Sequence, residues 1–252
     1  MSLRKLFLLT LVLVPLVLPL SLLAADSAGS VLITGANRGI GLALAEKFKT
    51  GGYDVIGTAR SPDKADDLKA LDVRVEQLDV TDPASVSALA QRLDGLPLDF
   101  VINNAGIKGH GADDLADLDI EKLDMTLDVN TLGPLRVIQA LFPNVKASDR
   151  KVFTNISSMM GSMEMNTWGC CLGYRASKSA LNSFTKTLAV DYADAGLVFV
   201  TMHPGYVQTD MNDGQGNINT AQSAEGLFKV ISGLTVDDNG KYYDWQGKEL
   251  PW

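Results

Sequence analysis

The stretch TGANRGIG, Thr34 to Gly41, directly ends the apolar run VLIT (Val31 to Thr34) and opens a helix-like segment, LALAEKF (Leu42 to Phe48). Glycines at 35, 39 and 41 let the backbone turn tightly and approach a pyrophosphate, whose charge then rests on the N-terminus of the helix. A glycine-rich string alone carries little information. Set between a strand and a helix, with a second strand close behind, it reads as a dinucleotide-binding turn. A tight strand-to-helix turn with no ligand is the alternative.

Outward from this turn, short β-branched runs alternate with helical periods. VLIT, YDVIGTA (Tyr53 to Ala59), VRVEQL (Val73 to Leu78), LDFVIN (Leu98 to Asn103), KVFTNIS (Lys151 to Ser157) and LVFVTM (Leu197 to Met202) read as strands, and PASVSALAQRL (Pro83 to Leu93) as a helix. Parallel neighbours need a crossover, and a helix is the usual one. The expected fold is α/β: a single-domain Rossmann fold over residues 30–252, with a doubly wound parallel sheet and helices on both faces. Loops are expected at Ser61–Asp67, Gly111–Asp119 and Asn212–Ser223.

At 252 residues and 46% hydrophobic content the chain suffices for one such domain. The formal net charge of −8, without a basic run in the body, argues against a nucleic-acid surface. The two cysteines, Cys170 and Cys171, are adjacent and imply no disulfide framework. Residues 1–25 differ in kind. Arg4 and Lys5 precede an apolar run from Leu6 to Ala25, the order of a secretory signal peptide. Ala24 and Ala25 suit cleavage, but leucine stands at the −3 position, and the run approaches the ~20 residues that span a bilayer. Residues 1–25 are therefore either a cleaved signal peptide or, through residues 6–25, a membrane anchor. Both place the body in the periplasm or secretory pathway; if the segment is non-functional, the body is cytoplasmic.

The end of the second strand decides which dinucleotide is expected. An NAD site places a carboxylate there, whereas an NADP site needs cations for the 2′-phosphate. Ala59 and Arg60 occupy that position, and Arg38 stands inside the glycine loop. Two guanidiniums suit a phosphate and favour NADP(H).

TGANRGIG, LDV (Leu78 to Val80), NNAG (Asn103 to Gly106), VN (Val129 and Asn130), NISSMMG (Asn155 to Gly161), YRASK (Tyr174 to Lys178) and HPGYVQTDM (His203 to Met211) together resemble the short-chain dehydrogenase/reductase family. YRASKSALN and the ending GKYYDWQGKELPW resemble its C-factor and sniffer-like carbonyl reductase branch. The resemblance implies an NADP(H)-dependent oxidoreductase that reduces an aldehyde, ketone or quinone. It implies a catalytic set of Asn130, Ser158, Tyr174 and Lys178. It implies cofactor contacts from Gly35, Asn37, Arg38, Gly39, Ile40, Gly41, Arg60, Asp79, Val80, Asn103, Ala105, Gly106, Tyr174, Lys178, Pro204, Gly205, Val207 and Thr209. A small-molecule carbonyl or alcohol partner and a homodimer or homotetramer follow from the same resemblance. So does an alternative, a dinucleotide-binding signalling protein.

Tyr174 and Lys178 stand at i and i+4, on one helix face. A phenol titrates near ~10, and an adjacent ammonium would stabilise its phenolate; Lys178 is the expected cation. The interval from Ser158 to Tyr174 is longer than the commonest in the family and holds Met159, Met160, Met163, Met165 and Trp168, an expected apolar wall for substrate. Asn212–Ser223 is an expected lid. His110 and His203 lack metal-ligand company, so no metal site is expected.

Overall fold

Strand β1 (Ser30–Ile33) is covered on both faces, and its side chains divide by parity: Val31 and Ile33 join one apolar cluster, Leu32 the other. The same alternation runs through β4 (Phe100–Asn103), β5 (Val152–Ile156) and β6 (Val198–His203). Phe100, Ile102, Val152, Val198 and Val200 face one side; Val101, Phe153 and Phe199 face the other. Nearly continuous apolar runs are what a parallel sheet buried on both faces requires. With β2 (Asp54–Ala59), β3 (Arg74–Gln77) and β7 (Tyr242–Asp244) they form one parallel sheet in the order β3-β2-β1-β4-β5-β6-β7.

The computed structural model describes residues 27–109 and 115–252. The expected export segment, His110 and the beginning of the acidic loop lie outside the described residues. Among the described residues no helix is long and apolar enough to cross a membrane.

Helices α1 (Gly39–Thr50), α2 (Asp66–Ala70) and α7 (Thr220–Gly233) cover one face of the sheet. Helices α3 (Pro83–Arg92), α5 (Gly133–Lys146) and α6 (Leu172–Asp191) cover the other, with α4 (Ile120–Leu127) against α6. Asp82 starts α3 by accepting from the Ala84 amide, and Pro83 occupies the first turn, where its missing N–H is no loss.

All three expected loops prove partly helical, Gly111–Asp119 through a 3₁₀ turn at Leu115–Asp117. Ser61–Asp67 contains a 3₁₀ turn and the start of α2. Asn212–Ser223 contains the start of α7, where Asn219 and Gln222 form a reciprocal capping box. Strand β7 was not among the expected strands. Its three residues are too few to show a period, and it forms because β6 offers an edge. Between α4 and α5 the helix widens into a π turn, Asp128–Leu132, that carries Asn130.

The aromatic anchor on the α1–α7 side is Phe48, whose ring meets Tyr53 at 5.1 Å and Phe228 at 4.9 Å, both edge to face. Phe48→Ala should cost about 3–5 kcal/mol of unfolding free energy, read from urea denaturation. A loss below about 1 kcal/mol would mean that α1 and α7 do not depend on this cluster.

Candidate active site

The residues singled out for a dinucleotide gather at the carboxyl ends of the parallel strands, where open α/β sheets bind ligands beside the point at which strand order reverses. Here that point is the β1–β4 pair. Gly35 and Gly39 adopt left-handed φ values of +64° and +58°, open to glycine at no steric cost. Gly41 is required for a different reason: a Cβ there would collide with the Gly35 carbonyl and the Asn104 amide. The first turn of α1 carries no acidic residue, and Arg38 at its N-cap makes no side-chain cap. Such an end is left to bind an anion, and the residues present fit a pyrophosphate. Asn37 and Ile40 are half-buried beside this turn, Ile40 packing onto the core.

Asn104, which the motif reading passed over, holds the loop in place. Its Nδ2 donates to the carbonyls of Thr34 and Gly35 at 3.0 and 3.2 Å, while Thr34 Oγ1 accepts from the amides of Asn104 and Ala105 at 2.9 and 3.0 Å. A polar residue directly after a buried strand, facing a glycine turn, was the available signal.

Asn103 is a correction. Its side chain does not open on the cleft: it is 2% exposed and donates to Asn155 Oδ1 at 2.8 Å, and Asn155 donates in turn to Thr185 on α6. Asn103 is the last residue of β4 and stays buried in the sheet, whereas Ala105 and Gly106 follow the strand and are half-buried.

Arg38 is 70% exposed by side chain and lies 3.5 Å from Asp210, an ion pair too solvated to fix it. Arg60 is exposed after β2, and its charge helps to hold the Asp79 carboxyl low. For Asp79 burial acts upward, but hydrogen bonds from the Thr81 hydroxyl and amide outweigh it. The carboxylate is thereby engaged in its own turn. Val80 is buried against Gly133, and its carbonyl accepts from Arg136.

The π turn aims Asn130 inward, fully buried. Its Oδ1 accepts from the Ile107 amide at 2.8 Å, and its Nδ2 donates to the Ile107 carbonyl at 2.8 Å and to Ser177 Oγ at 3.1 Å. Ser177 in turn donates to the Tyr174 carbonyl. Asn130 therefore reaches Tyr174 through the backbone. A Cβ at Gly106 would stand 3.2 Å from Asn130 Oδ1 and 3.7 Å from Lys178 Nζ, so the bare glycine lies between the two.

Ser158, Tyr174 and Lys178 do come together. Ser158 lies close enough to act on the Tyr174 phenol, and Lys178 Nζ lies 5.8 Å from the centre of the Tyr174 ring. The expected electrostatics, however, are reversed in this geometry. Burial pushes the Tyr174 phenol up, with Ser158 opposing it and Cys171 adding to it. Lys178, 5% exposed, is itself pulled down to about 8 by burial, and its Nζ donates to the Ile156 carbonyl at 2.9 Å. An ammonium held at ring distance and committed to a carbonyl does not outweigh the desolvation of the phenol.

A family model described as short chain dehydrogenase matches residues 30–219. The chain belongs to this family. The C-signal protein of Myxococcus xanthus is 38% identical over 156 residues, 62% of this chain and 93% of that protein. The NADPH-bound carbonyl reductase from chicken fatty liver superposes with a TM-score of 0.83 at 33% identity, covering 90% of this chain and all of the other. The carbonyl reductase Sniffer of D. melanogaster does so with a TM-score of 0.84 at 30% identity, covering 89% and 99%.

In this short-chain dehydrogenase the segment after β6 faces the glycine loop: Thr209 Cγ2 stands 3.8 Å from where a Gly39 Cβ would lie. Pro204 accepts from Ser223, Gly205 is left-handed, and Val207 is buried, with its carbonyl accepting from Asn212. The expected lid is tied down. Gln208 donates to the Ile218 carbonyl, and the Asn217 amide donates to the Tyr206 carbonyl. Burial holds the neighbouring His203 down to about 4, against the pull of Asp244. Among the described residues no group of three side chains could hold a metal.

The apolar wall is only partly as expected. Trp168 lies under the Arg175 guanidinium at 4.6 Å. Met163 borders a groove of about 440 Å³ on another face of α6, with Ser183, Lys186 and Trp252. Tyr242 from the unexpected strand supports the site: it is fully buried, its hydroxyl donates to the Ser158 carbonyl at 2.6 Å, and the Trp252 ring packs on it. Tyr242→Phe should leave that carbonyl with only its 2.7 Å bond from the Gly161 amide and cost about 0.5–1.5 kcal/mol in urea unfolding. An unchanged midpoint would show that Ser158 does not depend on β7.

Proposed function

We propose that this chain is an NADPH-dependent carbonyl reductase in which Tyr174 donates the proton to the oxygen of an aldehyde, ketone or quinone. The observation that carries the reading is the convergence of Ser158, Tyr174 and Lys178, with the Lys178 ammonium 5.8 Å from the centre of the Tyr174 ring. The likeness to two carbonyl reductases over about nine-tenths of the chain supports it. The glycine turn and the start of α1 would hold the pyrophosphate, with Arg38 and Arg60 toward the 2′-phosphate. Bound NADPH supplies the hydride.

The remaining chemistry belongs to the chain. Ser158 and Tyr174 present two hydroxyls to one substrate oxygen and fix its orientation. A phenol raised by burial stays protonated at neutral pH, which suits an acid. The nearby Lys178, charged below about 8, stabilises the phenolate that proton donation leaves. Asn130 is a positioning residue, acting through Ile107 and Ser177. The similarity to the C-signal protein favours a second reading, dinucleotide binding that serves a signalling role.

Tyr174→Phe should lower NADPH-dependent carbonyl turnover by at least ~100-fold while NADPH binding, followed by fluorescence, persists. In the wild-type protein turnover should fall as pH rises through about 8, because Lys178 carries its charge below that value and loses it above. Binding of NADPH with no turnover on any carbonyl would favour the signalling reading. Separately, Arg60→Glu should shift preference from NADPH towards NADH by about tenfold or more, the scale of one charge-assisted contact to phosphate (~1.5–3 kcal/mol). Unchanged relative affinities would remove Arg60 from the 2′-phosphate site.

A further inference from the structure

Cys170 and Cys171 are the chain's only cysteines. They end the loop that runs from Ser158 to α6, and Cys171 is the residue immediately before the first turn of that helix. Neighbouring side chains on a strand point to opposite faces, and on a helix they diverge by about 100°. Neither geometry brings adjacent sulfurs together. Here Gly169, Cys170 and Cys171 form a run of three left-handed residues, with φ of 69°, 65° and 58°. For residues other than glycine this region is sparsely visited, and such outliers gather at functional sites. The two sulfur atoms lie 2.7 Å apart, approaching the ~2.05 Å of a sulfur–sulfur bond.

The conformation is held by Arg175. Its Nε donates to the carbonyls of Gly169 and Cys170 at 2.8 and 3.0 Å, and its guanidinium is stacked on Trp168. Arg175 is 7% exposed, whereas Cys170 is open to solvent. The pair also borders the active site, since Cys171 caps the start of α6 three residues ahead of Tyr174.

We propose that Cys170 and Cys171 form a redox modification site that low-molecular-weight disulfides close reversibly to a vicinal disulfide, and that closure switches off the Tyr174 centre. The second half rests on the reductase reading; the first does not. With glutathione disulfide, the exposed Cys170 thiolate attacks one sulfur, the disulfide bond breaks and one glutathione leaves as its thiolate. The Cys171 thiolate then attacks the Cys170 sulfur of the mixed disulfide and displaces the second glutathione. Two electrons pass from the cysteine pair to glutathione disulfide, and the two thiol protons end on the two glutathiones. Excess thiol runs the steps backwards.

Adjacent Cα atoms are about 3.8 Å apart, short of the roughly 4.4–6.8 Å of ordinary disulfides. The ring is therefore strained, and strained, exposed bridges are the labile ones suited to switching. Its strain enters α6 at a sensitive place. The Cys171 carbonyl accepts the Arg175 amide at 2.9 Å, in the turn that carries Tyr174.

The test treats the protein with glutathione disulfide, blocks remaining thiols with N-ethylmaleimide, weighs the intact chain, and measures carbonyl reduction in parallel. The wild-type chain should lose two hydrogens and take up neither maleimide nor glutathione. Cys171→Ser, lacking the resolving thiol, should retain glutathione on Cys170. Turnover should fall about tenfold or more in the closed form, since small misplacements of a reacting group cost ~100-fold, and return with dithiothreitol. The double variant Cys170→Ser/Cys171→Ser should keep its rate in the presence of the oxidant. Alkylation of both sulfurs, or glutathione retained on the wild-type chain, would overturn the site. A closed ring with unaltered turnover would overturn the switch alone. If the reduced protein turns over no carbonyl, the mass still decides the site, and the switch falls together with the reductase reading.

Discussion

The hydrogen bond from the buried Lys178 ammonium to the Ile156 carbonyl, 2.9 Å long, fixes where α6 meets the end of β5. A cation this deeply buried is tolerated only where its donors are engaged, so the helix has little freedom to slide. The contacts around it are also polar. Asn155 donates to Thr185, Ser157 donates to Asn182 Oδ1 at 2.7 Å, and the Asn182 amide and Ser179 hydroxyl both donate to the Gly161 carbonyl. Gly161 itself lies against the Lys178 backbone, with no room for a side chain. Apolar packing permits many registers, whereas directional bonds select one. Tyr174, one turn ahead of Lys178, inherits its position from this seam.

Two further supports converge on the same place from distant parts of the chain. Tyr242 holds the Ser158 carbonyl from the far edge of the sheet, and the Trp252 carbonyl accepts from Ser162 and Glu164 in the loop that follows. From the other side, the π turn at Asp128–Leu132 delivers Asn130 to Ile107 and Ser177. π turns concentrate where a helix must redirect one side chain without breaking. The site is thus a junction of β4, β5, α6 and the π turn, and its electrostatics follow from that enclosure. Burial raises the phenol and lowers the ammonium together, so both groups move toward their neutral forms.

Much of this was legible in one dimension because periodicity and steric demand are local. The parity of Val31, Leu32 and Ile33 announces a strand buried on two faces, and the glycines at 35, 39 and 41 announce a close backbone approach. Tyr174 and Lys178 share a helix face through spacing alone. What escaped had weak or misleading local signals. Strand β7 has three residues, Asn104 reads as a twin of Asn103, and Asn219 opens a helix inside a stretch rich in Gly, Asn and Gln.

The sequence by itself determined the parallel α/β architecture, the dinucleotide turn and the residue types at the site, because each follows from local pattern or from backbone sterics. Only the tertiary structure decided which asparagine faces the crevice, that Asn130 bonds to the Ile107 backbone and Ser177, and that Tyr174 is raised and not lowered. Those outcomes depend on burial and on partners far along the chain, such as Ile156 for Lys178 and Tyr242 for Ser158. Desolvation is a property of the assembled interior, and no spacing of letters encodes it.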